Sequence, residues 1–208
     1  MPNWCYTRIT ICHSDKSVVD TYESEMNKAL SVNPLKADFG NAWMGNLLLH
    51  IGMPSKEVLE GPIHCRGSVE YINREDDNTL YLETETAWSP YLQCILMFLD
   101  HYATGYAITY MANEPNMGIY CTNDWNSVGN IIIDCCQEED FPDALVNIYE
   151  EYNDASREEV QQALSEYLGC DGPFEKLAQA VDEYLDDASP DSYIAFWSYE
   201  YVDVKELL

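Results

Sequence analysis

The stretch ETETAWSPYLQCILMF, residues 83–98, changes its hydrophobic period in the middle. Its first half alternates polar and apolar residues, which is typical of a half-buried strand, and its second half is nearly all apolar, which is typical of a buried helix. Ser89 is a good N-cap, and Pro90 is a good first helical residue because the missing N–H of proline would be unpaired there. The stretch therefore predicts a strand that ends at Trp88 and a helix that begins at once and is capped by Gly105.

Strand and helix patterns alternate on both sides of this junction. The order is β-α-β-β-α-β with an additional strand or two, which is the split βαβ pattern of ferredoxin-like proteins. We expect an α+β fold over residues 1–135, with two helices on one face of an antiparallel sheet. The predicted elements are a strand at 6–12, a helix from about 15 to 33, a buried strand at 46–51, a helical turn at 55–58, a hairpin of 67–72 and 80–87, the helix from 90, and strands at 107–113, 118–122 and 130–135.

The last third of the chain has a different character. Three amphipathic patterns, at 141–152, 156–168 and 173–185, predict three helices, and the pattern at 192–202 predicts a closing strand. The second helix opens with a capping box, Ser156 to Glu159. We therefore expect a helical subdomain over residues 136–208, with a boundary near 136–140.

Charge is the strongest compositional signal. The chain has 37 acidic and 10 basic residues, a formal net charge of −27 and a pI near 4.1. Residues 136–208 hold 20 of the acids and only three bases. Such a field repels phosphate, so direct nucleic-acid binding is disfavoured and a basic protein partner is favoured. The sequence has no signal peptide and no run of apolar residues long enough for a membrane span, so we expect a cytoplasmic protein without a membrane role.

The predicted acidic helices supply the candidate partner-binding surface. Closely spaced carboxylates on adjacent helices approximate the charge density of DNA, and such a surface would occupy a basic nucleic-acid groove. The alternative is a solvated acidic surface without a partner. The candidate residues are Glu150, Glu151, Asp154, Glu158, Glu159, Glu166, Glu175, Asp182, Glu183, Asp186 and Asp187.

Four segments of the first domain resemble a known family. MPNWCYTRITI (1–11), IGMPSKEVL (51–59), TAWSP (86–90) and YMANEPNMGIY (110–120) resemble, in the same order, landmarks of the YubB ferredoxin-like family, also described as Api92-like proteins of phages and plasmids. The resemblance covers roughly residues 1–125. It implies a ferredoxin-like fold in a mobile-element accessory protein, and it implies no catalytic residues.

Catalytic motifs are absent from the sequence. There is no GxSxG, phosphate-binding glycine loop, HExxH or dinucleotide fingerprint. His13, His50 and His64, with Cys12 and Cys65, are the candidates for a metal site, although CH and HC dipeptides do not have ligand spacing. Cys135-Cys136 would be either a redox switch or a strand end with one thiol buried. We predict a protein that is not an enzyme and that needs no cofactor.

A ligand pocket is the other candidate site. Glu114, in a loop that an ordinary proline and glycine turn also explains, would lie beside Trp43, Trp88 and Tyr110 and give aromatic walls with one acidic anchor. Arg8, Arg66 and Arg74 would have to converge for a phosphate ligand.

Two functions from different classes follow from these patterns. The first is a non-enzymatic inhibitor from a phage or mobile element, a nucleic-acid mimic that occupies the basic site of a host defence protein of the CRISPR or restriction type, in the cytoplasm of the host cell. The second is a module that sequesters a nucleotide signal or another small molecule.

Overall fold

The computed structural model describes two compact units, each containing helices and strands. One unit is formed by Met1–Asp124 with Val202–Leu208, and the other by Trp125–Tyr201. The α+β class predicted from the sequence is confirmed. The described residues are 3–32, 35, 40–61, 63, 65–137, 141–189 and 191–207, with the backbone alone for Asp187.

The first unit is built on an antiparallel sheet with β1 at its centre. Its strands run in the order β2-β3-β1-β4-β5, although β1 is the first in the chain. Buried and exposed residues alternate along β1, so one face of the sheet carries the core and the other carries exposed side chains such as Tyr6 and Arg8. The strands are β1 (Trp4–Cys12), β2 (Gly67–Asp76), β3 (Thr79–Ala87), β4 (Ala107–Glu114) and β5 (Ile119–Thr122).

Four helices accompany this sheet. The predicted first helix is confirmed: the Asp15 carboxylate accepts the N–H of Ser17 at 2.8 Å, and Tyr22 donates its hydroxyl to the carbonyl of Ala103. The predicted helical turn after Pro54 is confirmed as α3. The helices are α1 (Lys16–Leu30), α2 (Gly45–His50), α3 (Ser55–Glu60) and α4 (Gln93–Tyr102), and 3-10 turns occupy Pro115–Met117 and Val204–Leu207.

The prediction of a buried strand at 46–51 is wrong, because these residues form α2. A short apolar run fits either period, and its surroundings decide between them. The outer edge of β2 is already paired with residues 42–44, where Met44 donates to the Gly67 carbonyl at 3.0 Å and Val69 donates to the Ala42 carbonyl at 2.9 Å. The residues that follow, Gly45–His50, therefore form the helix α2, which packs against α1 and α4.

The predicted helix start at Ser89-Pro90 is also wrong. The strand ends at Ala87, Trp88 adopts a left-handed φ of 78°, and α4 begins only at Gln93. Pro90 and Leu92 are buried, so the linker that precedes the first turn of α4 packs on the core through these two side chains. The helix ends at Tyr102 with Ala103 as its C-cap, and Gly105 lies beyond it at a φ of +90° instead of capping it.

The second unit is three helices packed with a two-stranded sheet. Both α5 and α7 contact α6, α5 also contacts β6, and α7 also contacts β7. The capping box is present, since Ser156 accepts the N–H of Glu159 and the Glu159 carboxylate accepts the N–H of Ser156. The elements are β6 (Ile131–Cys136), α5 (Asp143–Tyr152), α6 (Arg157–Leu168), α7 (Phe174–Ala188), β7 (Tyr193–Ser198) and β8 (Glu200–Tyr201).

The division between the units differs from the predicted boundary at 136–140. The predicted first-domain strand at 130–135 is β6, which pairs antiparallel with β7 along its length, from Ile131↔Ser198 to Cys136↔Tyr193. Ile131 and Ile133 belong to the core of the second unit. The boundary therefore falls after Asp124, because the partner of this strand comes from the end of the chain.

Among the described residues, no helix combines the length and the apolar composition needed to cross a bilayer.

Candidate functional site

The helices of the second unit present their acidic residues to solvent. Each helix buries an apolar stripe, such as Leu177, Val181 and Leu185 of α7, so the acids at the other helical positions point outward. We call the following nine exposed residues the acidic helical surface: Glu150, Glu151, Glu158, Glu159, Glu166, Glu175, Asp182, Glu183 and Asp186.

Two of the predicted partner-binding residues are not among these nine. Asp154 is half-buried and adopts a left-handed φ of 71° between α5 and α6, where its N–H donates to the carbonyl of Ile131. The backbone of Asp187 lies in α7, and its side chain is outside the described part of the structure.

Few cations oppose this charge. The span Trp125–Tyr201 contains 19 acidic residues and two basic ones, Arg157 and Lys176. Arg157 forms an ion pair with Glu175 across α6 and α7, and its guanidinium carbon lies 4.6 Å from the centroid of the Phe174 ring. The pKa of Glu175 is lowered by its own backbone N–H and by this guanidinium. Arg157 therefore neutralises only one carboxylate of the surface.

The four residues of the predicted aromatic pocket do not assemble. Tyr110 is buried and donates its hydroxyl to the Val202 carbonyl at 2.9 Å, whereas 43% of Trp88 is exposed. Glu114 is fully buried; its Oε1 accepts from Asn116 at 3.3 Å and its Oε2 has no hydrogen-bond partner among the described residues. Glu114 therefore lies at the end of β4 on the core face of the sheet, whereas Trp88 is partly exposed to solvent. Of the four, Trp43 is the one among the described lining residues of the cavity in this unit.

That cavity lies in the first unit and has a volume of about 410 Å³. Its shape comes from the approach of α3 and the start of β2 to the paired ends of β1 and β3. The Trp43 indole donates its N–H to the carbonyl of Cys65, and a Cβ at Gly45 would overlap its ring, so the ring is held in one orientation. The lining residues are Trp4, Trp43, Val58, Leu59, Gly61, Ile63, Cys65, Arg66, Gly67, Ser68 and Ala87.

A thiol pair lies at the wall of this cavity. The sulfur atoms of Cys65 and Cys94 are 3.4 Å apart, with Cys94 on α4. With the Cys94 thiol as donor, the pKa of Cys65 is lowered by that hydrogen bond, and the pKa of Cys94 is raised by the same bond and by burial. Of the two, Cys65 is the cysteine whose pKa is lowered, and it is the one that lines the cavity.

The predicted metal candidates have other contacts. His13 accepts the N–H of Asp15 at 3.0 Å, and His50 pairs with the Glu25 carboxylate at 2.9 Å. The Cys12 sulfur contacts the hydroxyl of Thr79. His64 lies outside the described residues. In the part of the chain that the structure describes, no three His, Cys, Asp or Glu side chains converge as a metal site.

The three arginines proposed for a phosphate ligand do not converge. Arg66 precedes β2, and Arg74 lies near its other end, about 25 Å away along an extended strand. Arg74 is occupied by ion pairs with Asp20 and Glu23, and Arg8 is exposed on β1 opposite Glu83.

Cys135 and Cys136 end β6, and both are partly exposed. The pKa of Cys135 is raised by burial. This thiol is therefore less reactive than an exposed cysteine.

Sequence reasoning missed most of the cavity. Leu59, Cys65 and Trp4 are far apart in the chain and meet only through strand pairing and the placement of α3. Gly61 and Gly67 are a local sequence feature that could have indicated close backbone packing at this place. In the structure, a Cβ at either position would overlap neighbouring backbone atoms.

A scan against protein-family models, a search of curated proteins and a search of solved structures find no match to this chain.

Proposed function

We propose that this protein is a non-enzymatic inhibitor that uses the acidic helical surface to bind the basic nucleic-acid site of a host defence protein of the CRISPR or restriction type. The observation that carries the proposal is the exposure of nine carboxylates on three packed helices in a unit with two basic residues. Concentrated like charge destabilises a compact state, and a basic partner would relieve it.

The spacing of these carboxylates suits this role. Along α7, Glu175, Asp182, Glu183 and Asp186 span about 16 Å, so that neighbouring charges are on average about 5.5 Å apart along the helix axis. For comparison, successive phosphates of one DNA strand are about 3.4 Å apart along the helix axis. The helix α6 lies between α5 and α7, so adjacent rows of charge add to this density.

The proposed origin is a phage or another mobile element, acting in the cytoplasm of its host. The strand order β2-β3-β1-β4, with α1, α2 and α3 between β1 and β2 and α4 between β3 and β4, supports a ferredoxin-like arrangement of the first unit. Together with the resemblance of residues 1–125 to YubB ferredoxin-like proteins, it supports an accessory protein that protects an invading element.

Capture of host proteins tests the inhibitor proposal. The full chain is immobilised, host lysate is passed over it at rising salt, and bound proteins are identified. We expect a basic nucleic-acid-binding protein at low salt, displaced by competing duplex DNA and by salt. Capture that is unaffected by salt and by DNA contradicts the proposal.

A matched pair of variants assigns the effect to the surface. Asp182→Asn, Glu183→Gln and Asp186→Asn together remove three charges from α7. The control, Glu57→Gln, Glu60→Gln and Glu75→Gln, removes three exposed charges from the first unit. We expect the first variant to lose capture and the second to retain it. Equal loss in both contradicts a localised surface.

A ligand-binding role for the first unit is the second candidate, and the cavity beside Trp43 favours it. A volume of about 410 Å³ with mostly apolar lining is in the range of small-molecule sites. Binding of small aromatic probes, weakened by Trp4→Ala, tests this candidate.

A further inference from the structure

The side chains that line the cavity of the first unit restrict the class of ligand that it can bind. Two indoles, Trp4 and Trp43, line it together with aliphatic side chains. The N–H of Trp43 already donates to the Cys65 carbonyl, so this residue offers only its ring to an occupant. Rings of this kind favour a flat aromatic partner, because offset stacking adds to the burial of apolar area.

Three other polar groups at the cavity wall are already occupied. The Ser68 hydroxyl donates to the Glu70 carboxylate, and the Gly67 carbonyl accepts the N–H of Met44. The carbonyl of Arg66 accepts the N–H of Ala87. These groups therefore do not need a ligand to satisfy them.

The guanidinium of Arg66 differs from these groups. Among the described residues of the cavity lining, Arg66 is the only charged one; it is exposed, and it forms no ion pair with any described carboxylate. The chain has 37 acids and 10 bases, and by contrast Arg74 and Arg157 are both paired with carboxylates. A guanidinium binds a carboxylate or a similar planar anion through two parallel N–H donors.

We propose that this cavity binds a small planar aromatic compound that carries a single anionic group, with the ring against Trp43 and Trp4 and the anion on Arg66. The inference rests on the second candidate function, a ligand-binding role for the first unit, and names the class of its ligand. One arginine matches one negative charge, so a nucleoside triphosphate does not suit the site, since the described lining residues supply no second cation for its other phosphates.

Three probes of one shape separate the contributions of ring and charge. They are 2-naphthoate, the neutral 2-naphthylmethanol and the cationic 2-naphthylmethylammonium, titrated by calorimetry into the full chain. We expect 2-naphthoate to bind about tenfold more tightly than the alcohol, at the lower end for a hydrogen bond to a charged group, because Arg66 is exposed. The cation should bind most weakly.

Matched variants locate the binding. Arg66→Gln should reduce the affinity for 2-naphthoate to that for the alcohol, whereas Arg66→Lys should retain part of it, and the control Arg8→Gln should leave it unchanged. Trp4→Ala should weaken all three probes. Trp88→Ala is its control, since Trp88 is exposed to the same extent, 43% against 41%, and does not line the cavity.

The outcomes distinguish the proposed ligand-binding role of the first unit from the proposed class of ligand, a planar aromatic anion. If the three probes bind equally well, and Trp4→Ala weakens them all, the ligand-binding role stands and the anionic class is overturned. The class is also overturned if Arg8→Gln acts as strongly as Arg66→Gln. If none of the probes binds, both the class and the ligand-binding role fail.

Discussion

Ser156 and Glu159 exchange hydrogen bonds at the start of α6 and satisfy backbone N–H groups that a helix leaves unpaired. The pair was predicted from the sequence because both partners lie within four residues. Its effect on stability can be measured by single substitutions.

Ser156→Ala should lower the free energy of unfolding by about 1 kcal/mol, since the first turn of α6 loses its side-chain acceptor. Ser156→Asn, which retains an acceptor, should lose much less. Urea denaturation of the full chain gives both values. Equal stabilities of the alanine variant and the original protein would contradict a capping role.

The same pair contributes a pH-dependent term. The pKa of Glu159 is lowered by hydrogen bonds from the hydroxyl and then the N–H of Ser156. Because the folded-state pKa is below the unfolded value of about 4.3, this stabilisation is complete above that pH and is lost as the pH falls through the folded value. Ser156→Ala should therefore raise the pKa of Glu159, as NMR titration will report.

Cys65 and Cys94 illustrate a residue pair that sequence reasoning did not find. They are separated by 29 positions and meet only because α4 packs beside the segment before β2. No pattern of residue spacing within a short stretch of sequence predicts such a contact. The His64-Cys65 dipeptide drew attention to Cys65 for a metal site, whereas its partner in the structure is another thiol.

Cys94→Ala should slow the alkylation of Cys65 by iodoacetamide near pH 7.5. Without the Cys94 donor, the pKa of Cys65 rises and its thiolate fraction falls, and the thiolate is the attacking species. Peptide mapping by mass spectrometry gives the rate for each cysteine. Cys94→Ser retains a donor and should preserve more of the rate, and Cys170, which is exposed, serves as an internal reference.

At the scale of whole elements, the sequence predicted most strands and helices from period alone. Two exceptions, α2 and the start of α4, are short or lie next to occupied positions; two others are the cap at Gly105, which lies beyond the helix, and the closing strand at 192–202, which is divided into β7 and β8. The edge of β2 beside residues 46–51 is already paired with residues 42–44. The linker that precedes Gln93 packs on the core in a non-helical conformation. Neither condition is visible in a window of a few residues, because both depend on contacts with segments that are distant in the chain.

The start of α2 allows a test of the packing that holds it. Gly45→Ala should destabilise the first unit by about 1–3 kcal/mol, because the added methyl group would overlap the Trp43 ring, which is fixed by its hydrogen bond to Cys65. Gly172→Ala is the control, since its nearest neighbour, Leu177, is at an ordinary 3.6 Å. Thermal denaturation of both variants checks the difference, and similar melting temperatures would contradict it.

At the scale of the whole molecule, net charge is the dominant property. A formal charge of −27 implies self-repulsion in the compact state, which salt screens. We expect the melting temperature at pH 7.5 to rise by a few degrees between 0.02 and 0.5 M NaCl.

The triple variant Asp182→Asn, Glu183→Gln and Asp186→Asn should show a smaller rise than the original protein, since it begins with less repulsion. Differential scanning calorimetry measures both. A melting temperature that falls with added salt would mean that attractive ion pairs, not repulsion, dominate the electrostatics.

The pairing of residues 42–44 with the outer edge of β2 has a consequence for what can enter the cavity. The backbone groups of Gly67 and Val69 that face this edge are already bonded to Met44 and Ala42. An extended peptide therefore cannot dock there by strand addition, which needs a row of unoccupied donors and acceptors. A molecule in the cavity would therefore be recognised through the lining side chains and not through backbone pairing at this edge.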